Sequence, residues 1–237
     1  TYRQIGTLRD LHRYPVKSMA GETLSTAAVS WHGLPGDRRW AFLRPHAERS
    51  GFPWFTIREK PDLWLYQPRF ADPTQVESSS VLVRTPTGAE FDVADPDLAR
   101  QLGDGIRVIK QYSGIFDTFP LSVLTVQSVA SLAHATGAPL TALRFRPNIL
   151  IDSTDAHPFP EDAWCGAILR IGTLRLRLDK RDQRCMMVNV DPAHPQAAAH
   201  PAILRTIAQQ RDACFGLYAS TVEPGSLSLG DPVFLES

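Results

Sequence analysis

AILRIGTLRLRLDK (residues 167–180) has the pattern that decides the fold class of this chain. After a glycine–threonine turn, Leu174, Leu176 and Leu178 alternate with polar residues, which is typical of a strand with one buried and one solvated face. SVLVRTPTGAEFDV (80–93) repeats this pattern around a Pro-Thr-Gly turn. Short strands joined by tight turns are therefore expected to dominate the fold.

Helices are expected to be the minority. TVQSVASLAHATG (125–137) begins with a threonine N-cap and stops at a glycine, and PAILRTIAQQRDA (201–213) opens on proline and has one apolar face. DPDLARQLG (95–103) predicts a third helix at the join of two domains. The predicted fold is mostly β, of the α+β class, with domains at 1–95 and 96–237.

Composition excludes some classes of function. The 237 residues are 43% hydrophobic, and 25 basic side chains balance 25 acidic ones, which argues against binding of nucleic acid. No apolar run reaches the ~18 residues of a transmembrane helix. Only three cysteines are present, which fits a reducing compartment such as the cytoplasm. Cys165 and Cys214 each adjoin an aromatic residue and are predicted to pack in the core.

The third cysteine, Cys185, lies in RDQRCMMVNVDP (181–192). Its neighbours Arg181 and Arg184 would favour the thiolate over the thiol, since a nearby positive charge stabilises the charged form. Cys185 is therefore a candidate ligand for a soft metal or a candidate nucleophile. The alternative is an ordinary buried cysteine.

Three basic clusters, far apart in the sequence, pair a cation with a hydrogen-bonding side chain near a turn. They are YPVKSMAGETL (14–24) with Lys17 and Ser18, GLPGDRRW (33–40) with Arg38, and FRPNILID (145–152) with Arg146 and Asn148. Together they suit a polar, anionic small molecule. Each alone is equally consistent with a solvated surface or a turn.

Two further features have both a functional and a structural interpretation. The free amides at the start of the helix at Thr125, with the hydroxyls of Thr125 and Ser128, could hold a phosphate, or they could form a plain N-cap. Asp162 in FPEDAWCG (159–166) could orient an arginine or accept a proton from a ligand, or it could shape a turn.

The order of these motifs is more informative than any one of them. YPVKS, GLPGDRRW, FRPN followed by EDAW, RC with VDP, FGLY and LGDPV run from about Tyr14 to Val233 and resemble the MOSC family, named for the molybdenum cofactor sulfurase C-terminal domain. The first two resemble the β-rich amino-terminal domain that precedes MOSC in the mitochondrial amidoxime-reducing component and its bacterial relatives. The resemblance implies that such a domain packs on a MOSC β-barrel with a few helices.

The resemblance also implies a site for the molybdenum cofactor (Mo-molybdopterin), with Cys185 as the ligand to molybdenum. Asp162 and Asp191 are candidate catalytic residues that would orient neighbouring groups. The positions that match cofactor contacts in the family are Lys17, Ser18, Arg38, Thr125, Ser128, Arg146, Asn148, Gln183, Arg184 and Tyr218.

The function implied is reduction of small N-hydroxylated molecules. Electrons would come from a separate ferredoxin- or cytochrome-type protein, because the cysteine spacing of an iron–sulfur domain is absent. A cofactor carrier, a sulfur-transfer protein with a persulfide on Cys185, and a preserved fold with an inactive site are the alternatives, and pyridoxal phosphate binding is also left open. Val188 and Asn189 replace the threonine pair typical of animal members, which bears on the substrate pocket and redox tuning.

Overall fold

Sixteen strands and three α-helices are formed within residues 2–236, the part of the chain that this computed structural model describes. The strands are β1 (Tyr2–Arg13), β2 (Glu22–Thr23), β3 (Thr26–Val29), β4 (Trp40–Leu43), β5 (Trp54–Phe55), β6 (Gln67–Phe70), β7 (Val81–Arg84), β8 (Glu90–Asp92), β9 (Arg107–Lys110), β10 (Leu121–Thr125), β11 (Ile149–Ser153), β12 (Ile168–Ile171), β13 (Leu174–Gln183), β14 (Cys214–Glu223), β15 (Gly225–Ser228) and β16 (Pro232–Glu236). The helices are α1 (Pro96–Leu102), α2 (Val126–Thr136) and α3 (Ala202–Arg211).

Seven of the strands close into a barrel in the order β11-β10-β14-β13-β12-β16-β1, because β1 also pairs with β11. β10 and β11 are parallel, and the other neighbours are antiparallel. The hairpin predicted from the alternating leucines is β12–β13, and Leu174, Leu176 and Leu178 are fully buried in the barrel core. Each such leucine contributes roughly 1.5–3 kcal/mol relative to an exposed one. The prediction of a mostly β fold with a few helices is confirmed.

A second core lies under the amino-terminal part of the chain. The sheets β5-β4-β9 and β6-β7-β8 pack with α1 around side chains such as Phe42, Val83 and Leu98. The predicted hairpin at 80–93 is β7–β8. β1 belongs to the barrel although it begins the chain, so the barrel draws strands from both ends of the sequence. The division at residue 95 stays a prediction.

The three expected helices form, and α1 and α2 each begin with a side-chain cap. Asp95 accepts a hydrogen bond from the amide of Asp97 at the start of α1, and Thr125 accepts one from Ser128 at the start of α2. Gly137 ends α2 in the left-handed conformation (φ 65°). Helices α2 and α3 pack on the outside of β10 and β14. None of the helices in the described part of the chain is long and apolar enough to cross a membrane.

Candidate functional site

A cavity of about 830 Å³ lies where the barrel meets the amino-terminal part of the chain. Its wall includes residues from the segments around β5, β10, β13 and β14. It brings together nine of the thirteen predicted site residues, which are Lys17, Ser18, Arg38, Arg146, Asn148, Gln183, Arg184, Cys185 and Tyr218. Segments more than a hundred positions apart therefore contribute to one site.

Cys185 reaches the cavity because β13 ends at Gln183, beside the start of β14. The amide of Arg184 donates to the carbonyl of Ala213 (2.8 Å), and Cys185 then starts a short 3-10 turn, Met186–Asn189. The thiol is half-buried in the wall. It is therefore placed to contact a group bound in the cavity.

The two arginines near Cys185 are engaged elsewhere. Arg184 donates to the carbonyls of Phe215 and Phe145 (both 2.8 Å) and forms an ion pair with Asp182 (2.7 Å). Arg181 forms an ion pair with Asp212. Their first role in this fold is to tie the ends of β13 and β14 to neighbouring segments.

A cluster of three cations, Lys17, Arg38 and Arg146, lines the same cavity. Lys17 is only 9% exposed, and its ammonium lies 2.7 Å from Oδ1 of Asp117. Burial lowers the pKa of Lys17, and the Asp117 carboxylate opposes that shift. Arg38 pairs with the buried Asp37 and donates from Nη2 to the carbonyl of Arg146 (3.1 Å).

Arg146 completes this cluster in an unusual conformation. Its backbone is left-handed (φ 53°), and its Nη1 donates to the carbonyl of Met19 (2.6 Å), while its buried Nη2 has no partner within residues 2–236. Burial and the charge of Arg38 lower the pKa of Arg146 to about 10. A buried donor without a partner is costly, so an anion in the cavity would stabilise it.

The ring of Tyr14 packs against two cations of the cluster, and Tyr14 was not identified as a site residue from the sequence. The guanidinium carbons of Arg38 and Arg146 lie 4.7 and 4.2 Å from its ring centroid, within cation–π range. Burial raises the pKa of Tyr14 to about 12, so the phenol is neutral, and its hydroxyl donates to the carbonyl of Pro147 (3.0 Å). The only sequence signal was its position in the YPVKS motif, three residues before Lys17.

Asp182 is a second site residue that sequence reasoning missed. It is 2% exposed, accepts a hydrogen bond from Ser122 Oγ (3.0 Å) and bonds the Tyr218 hydroxyl. Burial raises its pKa, and Arg184 opposes the shift. Asp182 lies four positions beyond the buried Leu178, but the exposed Lys180 and the register shift between β13 and β14 interrupt the two-residue alternation, so the leucine pattern carried no signal for Asp182.

Four predicted site residues do not line this cavity. The hydroxyls of Thr125 and Ser128 face the buried Glu161, with Ser128 donating to its Oε2 (2.6 Å) and Thr125 Oγ1 2.7 Å from the same atom. Both hydroxyls are fully buried, so the expected phosphate contact is replaced by a buried hydrogen-bond cluster. Burial raises the pKa of Glu161.

The two predicted orienting carboxylates have other partners. Asp162 accepts two hydrogen bonds from Nη2 of Arg211 (2.8 and 2.7 Å), which joins a turn to α3. Asp191 lies 3.5 Å from Nη2 of Arg144, a residue of the cavity wall, and so stands behind that wall. Asp162 therefore serves the fold, and Asp191 reaches the site only through Arg144.

The structure also locates the other two cysteines and the Val188–Asn189 pair. Cys165 is exposed and Cys214 is a half-buried residue of the cavity wall, so the prediction that both pack in the core is wrong. Val188 lines the cavity. The side chain of Asn189 accepts a hydrogen bond from the amide of Leu204 in α3 (3.0 Å), so Asn189 supports that helix.

Comparison with known proteins places this architecture in a family. The model of the MOSC N-terminal beta barrel domain matches residues 5–110, and the MOSC domain model matches residues 110–234. Mitochondrial amidoxime-reducing component 1 of Homo sapiens is 26% identical over 98% of this chain and 84% of its own length. Molybdenum cofactor sulfurase of Drosophila grimshawi is 28% identical over 95% of this chain and 34% of its own length.

A solved structure, the YUAD protein of Bacillus subtilis, shares the fold with a TM-score of 0.54 at 11% identity, over 100% of this chain and 99% of that one. At this identity the likeness concerns the fold alone. The MOSC domain model, by contrast, matches the sequence over more than half of its length, including the segment that carries Cys185. This chain therefore belongs to the MOSC domain family.

Proposed function

We propose that this protein binds the molybdenum cofactor in the cavity and reduces N-hydroxylated small molecules with it. The proposal rests on one observation: Cys185 lines the same cavity as Lys17, Arg38 and Arg146. The name of one relative, a molybdenum cofactor sulfurase, supports this cofactor, and the name of another, an amidoxime-reducing component, supports the reaction.

The residues of the cavity fit this cofactor, which combines a phosphate, a pterin and a dithiolene. Lys17, Arg38 and Arg146 would hold its anionic end, and the unpartnered Nη2 of Arg146 is a free donor for that role. Cys185 would give molybdenum a soft thiolate ligand. The polar side chains left for the pterin are those of Ser18, Asn148, Gln183, Arg184 and Tyr218.

The reaction adds two electrons and two protons to an N–OH group, so that the N–O bond breaks and an N–H product and water leave. When bound, the cofactor would supply the two-electron redox chemistry. The protein would hold the cofactor, limit the access of water with the half-buried rings of Trp54 and Phe116, and present a hydrogen-bond donor at the cavity wall. Burial raises the pKa of Tyr218, so its hydroxyl keeps a proton beside Asp182.

Electrons would reach the site from an external ferredoxin- or cytochrome-type protein. Thr125, Ser128 and Asp162 are left out of the proposed site because their side chains are bonded elsewhere.

The test compares cysteine variants of protein made in a host that produces the cofactor. We expect wild type to contain molybdenum and pterin and to reduce benzamidoxime with an artificial electron donor. Cys185→Ser should lose most or all of that activity. Cys165→Ser changes an exposed cysteine outside the cavity and should retain it. Cys214→Ser asks whether the other cysteine of the wall is the ligand. Full activity in Cys185→Ser would refute the proposal.

The likeness to a sulfurase favours a second candidate, in which the protein carries the cofactor or transfers sulfur through Cys185. Many turnovers per molybdenum with an artificial donor would exclude a carrier without catalysis. A persulfide on Cys185 would add the mass of one sulfur atom to the intact protein, and its absence at every stage of loading would count against sulfur transfer.

A further inference from the structure

The cavity wall carries more positive charge than the proposed cofactor contacts account for. Eight basic and two acidic side chains line it. Most of the eight have a carboxylate partner, as Lys17 has Asp117 and Arg144 has Asp191. Arg58 and Lys180 form no ion pair with any residue between 2 and 236, and neither belongs to the motifs matched to the cofactor. Two cations of the wall are therefore left over.

Each of these two cations lies over an aromatic ring of the same wall. The guanidinium carbon of Arg58 is 5.0 Å from the ring centroid of Phe52, and Nζ of Lys180 is 5.6 Å from that of Phe119. All four residues line the cavity. Contact with a ring holds a long cationic side chain in place without neutralising its charge. Arg58 and Lys180 are thus held at the cavity with their charges free for a ligand.

Several of the aromatic rings that line this cavity are only half-buried. Phe52, Trp54, Phe116 and Phe119 all expose part of their surface along the cavity. A flat aromatic ligand can stack on such rings, whose offset contacts are favourable beyond simple burial. An anionic group on that ligand could then pair with the guanidinium of Arg58 or the ammonium of Lys180.

We propose that Arg58 and Lys180 select the substrate, and that it is an aromatic N-hydroxylated compound bearing a carboxylate or a similar anionic group. This inference rests on the proposed function, because it names the substrate class of that reaction. A cationic compound would meet the excess positive charge of the wall and bind poorly. Neutral aromatic compounds would bind through the rings alone.

Three matched compounds test the inference with molybdenum-loaded protein and an artificial donor: benzamidoxime, para-carboxybenzamidoxime and para-aminomethylbenzamidoxime. We expect kcat/KM to be highest for the carboxylate and lowest for the amine. In Arg58→Gln/Lys180→Gln the ratio of kcat/KM between the carboxylate and the neutral compound should fall about tenfold, mainly through KM. This is the effect of two charge-assisted contacts made by exposed side chains. Added salt should lower the wild-type ratio in the same direction.

Arg177→Gln is the matched control, since Arg177 lies three residues before Lys180 on β13 but does not line the cavity. It should keep the wild-type ratio. Dissociation constants measured by calorimetry without an electron donor should follow the same order as KM, which gives a readout independent of turnover. Molybdenum and pterin content of the double variant should equal that of wild type.

The outcomes are separable. Equal kcat/KM for all three compounds would overturn this inference and leave the reductase function standing. Loss of molybdenum or pterin from the double variant would assign Arg58 and Lys180 to the cofactor and would also overturn it. If loaded protein turns over none of the three, the reductase function fails and this inference falls with it.

Discussion

Nζ of Lys17 lies 2.7 Å from Oδ1 of Asp117, although the two residues are 100 positions apart. The lysine is almost fully buried, while the side chain of Asp117 is 62% exposed in the cavity. The pKa of Asp117 lies below its usual value: burial alone would raise it, but Lys17, Arg38 and Arg146 together outweigh that effect. The protein thus holds an anion of its own on the cation cluster.

We predict that Asp117→Asn strengthens the binding of inorganic phosphate to the cofactor-free protein, because it removes a carboxylate that competes for Lys17. The dissociation constant should fall by roughly three- to tenfold, equivalent to about 1 kcal/mol for one partly exposed ion pair. Isothermal titration calorimetry would measure it. Glu48→Gln, which removes a carboxylate from an exposed ion pair with Arg107, should leave phosphate binding unchanged. Equal affinity in Asp117→Asn and wild type would contradict the prediction.

The side chain of Asn148 forms hydrogen bonds to both the cation cluster and the barrel. Its removal should lower both the stability of the fold and the cofactor content. It is fully buried; its Oδ1 accepts from the amide of Ser122 and Nη1 of Arg38 (both 3.2 Å), and its Nδ2 donates to the carbonyl of His12 (3.1 Å). Asn148→Ala removes all three hydrogen bonds and should lower the free energy of unfolding by about 1–3 kcal/mol.

Urea denaturation would measure this change, and cofactor content would report on Arg38. Asn189→Ala is the comparison, since the side chain of Asn189 accepts a single hydrogen bond, from the amide of Leu204, outside the cavity. It should cost less than Asn148→Ala and leave cofactor content intact. A loss of stability no larger in Asn148→Ala than in Asn189→Ala would show that the buried amide is not a major link.

The local features of this protein could be predicted because they depend on neighbours in the sequence. The leucines of β13 and the threonine and glycine caps of α2 are of this kind. The partners of Lys17 and of Thr125 could not be predicted, because they depend on which distant segments the barrel brings together. Thr125 meets Glu161 only because a turn packs against β10. The resemblance to a family supplied the cavity residues that local patterns could not.

Glu161 should make stability depend on pH in a direction that its burial fixes. Its Oε2 accepts hydrogen bonds, but its buried Oε1 has no partner within residues 2–236. Burial raises its pKa in the folded state above the ordinary value of 4.5, so the folded protein binds this proton more tightly than the unfolded chain. The stabilisation that the protonated carboxyl provides is therefore fully present below the ordinary pKa of 4.5. It is lost as the pH rises through the higher pKa of the folded state.

We expect wild type to lose stability relative to Glu161→Gln as the pH rises above about 4.5, the ordinary value for this carboxyl. Urea denaturation of both proteins between mildly acidic and mildly basic pH would measure the difference in free energy of unfolding. Ser128→Ala should extend the window to higher pH, because the Ser128 hydroxyl donates to the ionised carboxylate and lowers the pKa of Glu161. A difference between wild type and Glu161→Gln that stays constant across this range would disprove the effect.

Gly216 of the FGLY motif is required where β14 passes close to β10. Its φ is 80°, and a Cβ there would lie 2.8 Å from the carbonyl oxygen of Val123 and 3.2 Å from Cδ1 of Leu124. The carbonyl belongs to a paired strand and cannot move without disturbing the barrel. Gly216→Ala should therefore lower the free energy of unfolding by about 1–3 kcal/mol or more.

Gly137→Ala is the control. Gly137 has a similar φ of 65°, but a Cβ there would have no heavy atom within 4 Å, so this variant isolates the backbone cost of about 1 kcal/mol. Equal losses in the two variants would mean that contact with β10 adds nothing at Gly216.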